Sequence, residues 1–180
     1  PSIGLGVYKI TDEDMENVVN TAIETGYRAF DTAYFYGNEV ALGKALQNSG
    51  VDREDLFITS KLWNDYQGYD NTIEYFNQSL ENLGLDYIDL FLIHWPCEKD
   101  GLYIESYKAL EKLYDEGKVK AIGVCNFKQH HLEKLMEETE VVPQVNQIEL
   151  HPYFNQEDVQ EFCDNHDIKV TAWMPLMRNR

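Results

Sequence analysis

Residues 88–96 read Ile88-Asp89-Leu90-Phe91-Leu92-Ile93-His94-Trp95-Pro96. Apart from Asp89, the first six are apolar and mostly β-favouring, and the run ends abruptly in an imidazole, an indole and a proline. A strand with one wet face alternates polar and apolar side chains. A nearly continuous apolar run of this length is a strand covered on both faces. Working outward, comparable short runs lie at 3–7, 29–31, 56–60, 121–124, 145–150 and 169–173, with 88–93 in the middle. Their first residues are 24 to 33 positions apart, enough each time for one crossover helix.

The intervening segments carry helical periodicity and explicit ends. Thr11 precedes Asp12-Glu13-Asp14, a capping residue followed by acids at the positive end of a helix dipole. Glycines stand just past the last periodic residue at Gly26, Gly50, Gly84 and Gly117, where a left-handed residue stops a helix. Two further helices are predicted over 128–138 and 156–166, the second capped by Asn155. Alternating strands and helices give βαβ units and a parallel sheet. No linker or low-complexity stretch divides residues 1–180, so they read as one domain.

Two α/β architectures compete. A doubly wound sheet would carry a glycine fingerprint after its first strand, but Gly4-Leu5-Gly6 is followed by Lys9 where the third glycine belongs. A (β/α)8 barrel collects its chemistry at the C-terminal ends of several strands. Asp31 ends the second run, Lys61 the third and His94 the fourth, and Asn126 follows the fifth. The barrel is therefore the expected fold. With about seven βα units present, the eighth is missing, and the domain is expected to be truncated at its C-terminus.

Composition excludes several functions. Fifteen Lys and Arg against 32 Asp and Glu leave a net charge of −17, which repels nucleic-acid backbones and anionic headgroups. No apolar stretch is long enough to span a bilayer, and residues 1–10 lack the features of a signal peptide. Three cysteines without CxxC spacing fit reduced thiols in the cytoplasm. His130-His131, His151 and His166 have no acid or cysteine at metal-ligand spacing, so no metal is expected.

Asp31, Tyr36, Lys61 and His94 place a carboxylate, a phenol, an ammonium and an imidazole at one barrel mouth. The ammonium is expected to lower the pKa of the phenol, and the carboxylate to hold the ammonium. A neutral imidazole can orient a carbonyl group. Together these suit proton donation to a carbonyl oxygen while the carbon receives hydride, which a nicotinamide cofactor must supply. Taken singly, each has an ordinary structural reading. Asn126, for example, could simply cap the helix that follows. A two-carboxylate glycosidase built on Glu149 and Asp31 leaves Tyr36, Lys61 and His94 unused.

Four blocks resemble the aldo-keto reductase family. They are Gly26-Tyr27-Arg28-Ala29-Phe30-Asp31-Thr32-Ala33 with Tyr36, Asn38-Glu39 and Gly43; Leu92 to Pro96; Ile122-Gly123-Val124-Cys125-Asn126-Phe127; and Val145-Asn146-Gln147-Ile148-Glu149-Leu150-His151-Pro152. Their wording is closest to the bacterial methylglyoxal and diketogulonate reductase-like branch. The resemblance implies reduction of a small aldehyde or ketone by NADPH, with Tyr36 as general acid, Asp31 and Lys61 as its tuning pair and His94 orienting substrate. It implies that Asn126 and Gln147 hold the nicotinamide carboxamide, with Trp173 and Leu176 completing the cofactor site. Tyr8, Phe35, Trp63 and Trp95 would line the substrate pocket. The basic block for the 2′-phosphate would follow the eighth strand. Cys125 and Met174 replace usual serines, and Asn179 a common glycine. The complete protein would be a monomer. The alternative is a non-catalytic nucleotide-binding subunit of the same fold, as the potassium-channel beta subunits resemble.

Overall fold

A computed structural model describes residues 1–98 and 101–177; Asn179 lies outside them. Seven strands form one parallel sheet in chain order: β1 (Leu5–Gly6), β2 (Ala29–Asp31), β3 (Phe57–Leu62), β4 (Ile88–Ile93), β5 (Val119–Cys125), β6 (Val145–Glu149) and β7 (Lys169–Trp173). Six helices alternate with them: α1 (Asp12–Glu24), α2 (Glu39–Asn48), α3 (Tyr69–Leu83), α4 (Tyr103–Asp115), α5 (Gln129–Glu138) and α6 (Glu157–Asn165). This is a partial (β/α)8 barrel. The sheet curls far enough that Gln147 on β6 donates to Asp31 on β2 at 2.7 Å, across the barrel interior.

The central strand follows its sequence. All six residues of β4 are buried. Phe91 and Ile93 belong to the large core beneath the helices, where Phe91 meets Phe76 of α3 edge-on at 4.9 Å. Leu90 and Leu92 face the other way and pack with Cys125 of β5 in the barrel interior. Asp89, the one polar residue in the run, accepts from the Ile58 N–H at 2.8 Å and pairs with Arg53. It thereby stitches β3 to β4 at the end away from the mouth.

Period-two alternation decides which side chains enter the barrel. On β3, Ile58 and Leu62 join the outer core, so Phe57, Thr59 and Lys61 point inward. On β2 the same parity sends Phe30 outward and Asp31 inward. On β6 it turns Gln147 inward, while Asn146 faces Cys163 of α6. On β2, β3 and β6 the inward residues near the C-termini, Asp31, Lys61 and Gln147, are polar, as the barrel reading requires.

The four predicted stop glycines all adopt positive φ, from 64° to 97°. The start of α6 differs from expectation. Gln156, in a left-handed conformation with φ 47°, occupies the cap position, and Asn155 instead donates to the Glu157 side chain. Asn126 does not cap α5 either; the Lys128 N–H at its start is taken by His131 Nδ1 at 2.9 Å.

Gly43 of α2 sits directly on the C-terminal end of α3. A Cβ there would lie 2.2 Å from the Leu83 carbonyl oxygen, a rigid backbone atom. Gly43→Ala should therefore destabilise the fold by about 2–3 kcal/mol, as overpacking against backbone does. Urea unfolding measures this, and an unchanged midpoint would mean that α2 and α3 do not approach so closely.

Candidate active site

The mouth is organised around Asp31. Its Oδ1 accepts from Lys61 Nζ at 2.5 Å and its Oδ2 from Gln147 Nε2 at 2.7 Å. Lys61 Nζ also donates to the Thr32 carbonyl at 2.8 Å. The Lys61 side chain is 1% exposed, so its charge is fully desolvated and depends on these acceptors. Burial lowers its pKa, but Asp31, with smaller help from Tyr36 and Cys125, raises it, and the net shift is upward. Lys61 is a fixed cation.

Tyr36 stands at the end of a 3-10 turn over Tyr34–Tyr36 that follows β2. Lys61 Nζ lies 5.3 Å from its ring centre, and Tyr8 and His94 flank the ring at 4.8 and 5.8 Å. The four predicted groups thus meet at one place. The electrostatics differ from expectation, however. Burial raises the Tyr36 pKa above its ordinary 10; Lys61 pulls it down, Asp31 pushes it back up, and the net shift is upward. Desolvation and the opposing charge of the carboxylate that anchors the cation together outweigh the pull of Lys61.

His94 follows β4 and is buried. Its N–H bonds the Leu62 carbonyl, and its own carbonyl accepts from Asn126 Nδ2 at 3.0 Å. Burial, reinforced by the charge of Lys61, lowers its pKa from 6.5 to about 3. The ring is therefore neutral at physiological pH. Its Nδ1 is buried without a hydrogen-bond partner.

The amides beyond this cluster are held in a chain. Asn126, in a left-handed conformation with φ 63°, accepts from Trp173 Nε1 at 2.8 Å. Gln147 Oε1 accepts weakly from the Cys125 thiol at 3.5 Å. Asn126 Nδ2 spends one N–H on the His94 carbonyl and Gln147 Nε2 one on Asp31, and each keeps a second for a ligand. The set therefore fits a planar carboxamide beside an indole. The structure brings Trp173 to Asn126, while Leu176 is 79% exposed in the turn after β7. Cys125 is buried and its pKa raised by that burial, which makes it an inert thiol. Phe35 and Trp63 stack at 3.8 Å, Trp63 meets His94 at 5.3 Å, and Trp95 and Tyr8 are exposed at the rim. The tie between Gln147 and Asp31 was invisible to sequence reasoning, because 116 positions separate the two residues.

The aldo/keto reductase family model matches residues 2–179. The chain belongs to this family. It is 51% identical over 177 residues to a 9,11-endoperoxide prostaglandin H2 reductase of Trypanosoma cruzi, covering 98% of this chain and 62% of the relative. It is 49% identical over 181 residues to a glyoxal reductase of Bacillus subtilis, covering 100% and 65%. A solved mutant of Gox0644 in complex with NADPH superposes with a TM-score of 0.94 at 46% identity, covering 100% and 65%. The chain thus spans just under two thirds of the length of these relatives. Among the described residues, no helix is long and apolar enough to cross a membrane.

The low pKa of His94 has a spectroscopic consequence. Its imidazole NMR shifts should stay constant from pH 8 down to pH 5, because the group charges only near pH 3. A titration centred near 6.5 would show that the ring is solvated or that Lys61 is not beside it.

Proposed function

We propose that this chain forms most of one barrel domain of an NADPH-dependent reductase of small aldehydes and ketones. The observation that carries the proposal is the meeting of a protonated phenol, a buried cation and a neutral imidazole at one mouth, with the cation fixed by Asp31. The family membership supports it, as do the glyoxal reductase relative and the NADPH complex of a structural neighbour.

The proposed roles follow from charge and geometry. NADPH, when bound, supplies hydride to the carbonyl carbon. Asn126 and Gln147 would hold its carboxamide through their remaining amide hydrogens, with Trp173 and Leu176 beside them. His94, being neutral, donates an N–H to the carbonyl oxygen and orients it. Tyr36 holds its proton at neutral pH and gives it to that oxygen as negative charge develops there. Lys61 then lies next to the phenolate that remains and stabilises it, so its charge acts mainly after the proton leaves. Asp31 positions Lys61 and keeps it charged. Tyr8, Phe35, Trp63 and Trp95 provide aromatic walls sized for a small carbonyl compound.

Tyr36→Phe removes the proton and leaves the ring. It should reduce the rate of methylglyoxal reduction by ~100-fold or more, with NADPH affinity unchanged. NADPH absorbance at 340 nm and a fluorescence titration of the cofactor measure the two effects. Turnover retained in this variant would exclude Tyr36 as the acid.

A further inference from the structure

The segment after β4 is fastened to the barrel on two sides, through Gln67 on one and through α5 on the other. On the near side, Gln67, itself buried, donates to the Trp95 carbonyl at 2.7 Å. The chain then passes Pro96 and turns at Cys97, whose φ of 45° is one that non-glycine residues seldom adopt. That turn delivers Glu98 to the start of α5. There its Oε1 makes a short contact with His131 Nε2 and lies 3.1 Å from His130 Nε2. Tyr103 of α4 packs edge-on against His131 and Phe127, which walls the ring in from the other side.

Two readings of this cluster compete. Three ligand atoms, from Glu98, His130 and His131, lie within 4.8 Å of one another and could hold a metal ion. The proton on His131 decides against it. Its Nδ1 accepts the Lys128 N–H at 2.9 Å, so in the neutral ring the proton sits on Nε2 and points at Glu98. A metal needs the Nε2 lone pair, which moves the proton to Nδ1 and breaks the cap of α5. The hydrogen-bonded reading keeps both bonds.

We propose that Glu98 and His131 form a latch that sets the position of the Trp95 segment at the barrel mouth, and that both are positioning residues for substrate binding. His131 is buried and held by its cap bond, so it is the fixed half. Glu98 is 62% exposed at its side chain and is the half that engages. Neither residue belongs to the cluster proposed to move the proton, so the latch acts on the substrate wall rather than on the chemical step. The kinetic part of this inference rests on the reductase reading given above; the structural part does not.

The experiment uses Glu98→Ala and Glu98→Gln in the full chain, since an exposed side chain can be changed without endangering the fold. Glu98→Ala should raise KM for methylglyoxal about fivefold with kcat unchanged, the effect of losing one partly exposed hydrogen bond to a charged group. Glu98→Gln still offers an oxygen to His131 and should restore KM. Hydrogen exchange of the 94–98 segment, read by mass spectrometry, should quicken in Glu98→Ala and not in Glu98→Gln. An inactive wild-type protein with that exchange pattern would refute the reductase reading and leave the latch standing. Exchange unchanged in Glu98→Ala, or a KM that stays at the wild-type value in an active enzyme, would overturn the latch. Stoichiometric zinc binding that Glu98→Ala abolishes would overturn it in favour of the metal site.

Discussion

The ammonium of Lys61 lies inside the barrel, 2.5 Å from one oxygen of Asp31 and 2.8 Å from the Thr32 carbonyl. Removing a charge of this kind from water costs several kcal/mol, which is recovered only if a partner is held close and in good geometry. Here the partner ends β2, the cation belongs to β3, and the second oxygen of the partner is claimed by Gln147 from β6. One carboxylate thus links three strands. The same contact that compensates a buried cation also ties the far side of the curled sheet to the near side.

The other groups at the mouth are conditioned by that arrangement. Burial acts on Tyr36 and His94 alike and favours the neutral form of each, raising one pKa and lowering the other. The result is a pair of neutral hydrogen donors beside one permanent positive charge. In the proposed reaction this division is useful. A phenol that keeps its proton until a carbonyl oxygen becomes basic does not ionise prematurely. The cation beside it then stabilises the ion it leaves behind. A phenol acidified in advance, as a lone neighbouring cation would make it, would stand partly ionised before substrate arrived.

Much of the fold was legible because its signals are local. The bounds of β4 and β7 follow from apolar runs, and the ends of α1, α2, α3 and α4 from glycines that adopt the left-handed conformation. Strand parity then carried Asp31, Lys61 and His94 to one mouth, since a barrel places the C-terminal ends of parallel strands together. The rest depends on contacts between distant segments. The start of α6 escaped the capping rule because Gln156 reaches back to the Glu149 carbonyl at 2.5 Å. The direction of the Tyr36 shift escaped because desolvation cannot be read from residue types. Glu98 escaped because 33 positions separate it from His131. The family blocks pointed to the residues, but the ties between those residues are visible only in three dimensions.

The account stands on the charge at position 61. Replacing it by an apolar side chain of similar length keeps the packing and removes the cation. The most direct measurement is therefore the single-turnover rate of NADPH-dependent methylglyoxal reduction in Lys61→Met, compared with wild type at saturating cofactor. The charge argument predicts a loss of ~100-fold or more with the circular dichroism spectrum preserved. A folded Lys61→Met protein that reduces the carbonyl at close to the wild-type rate would contradict it.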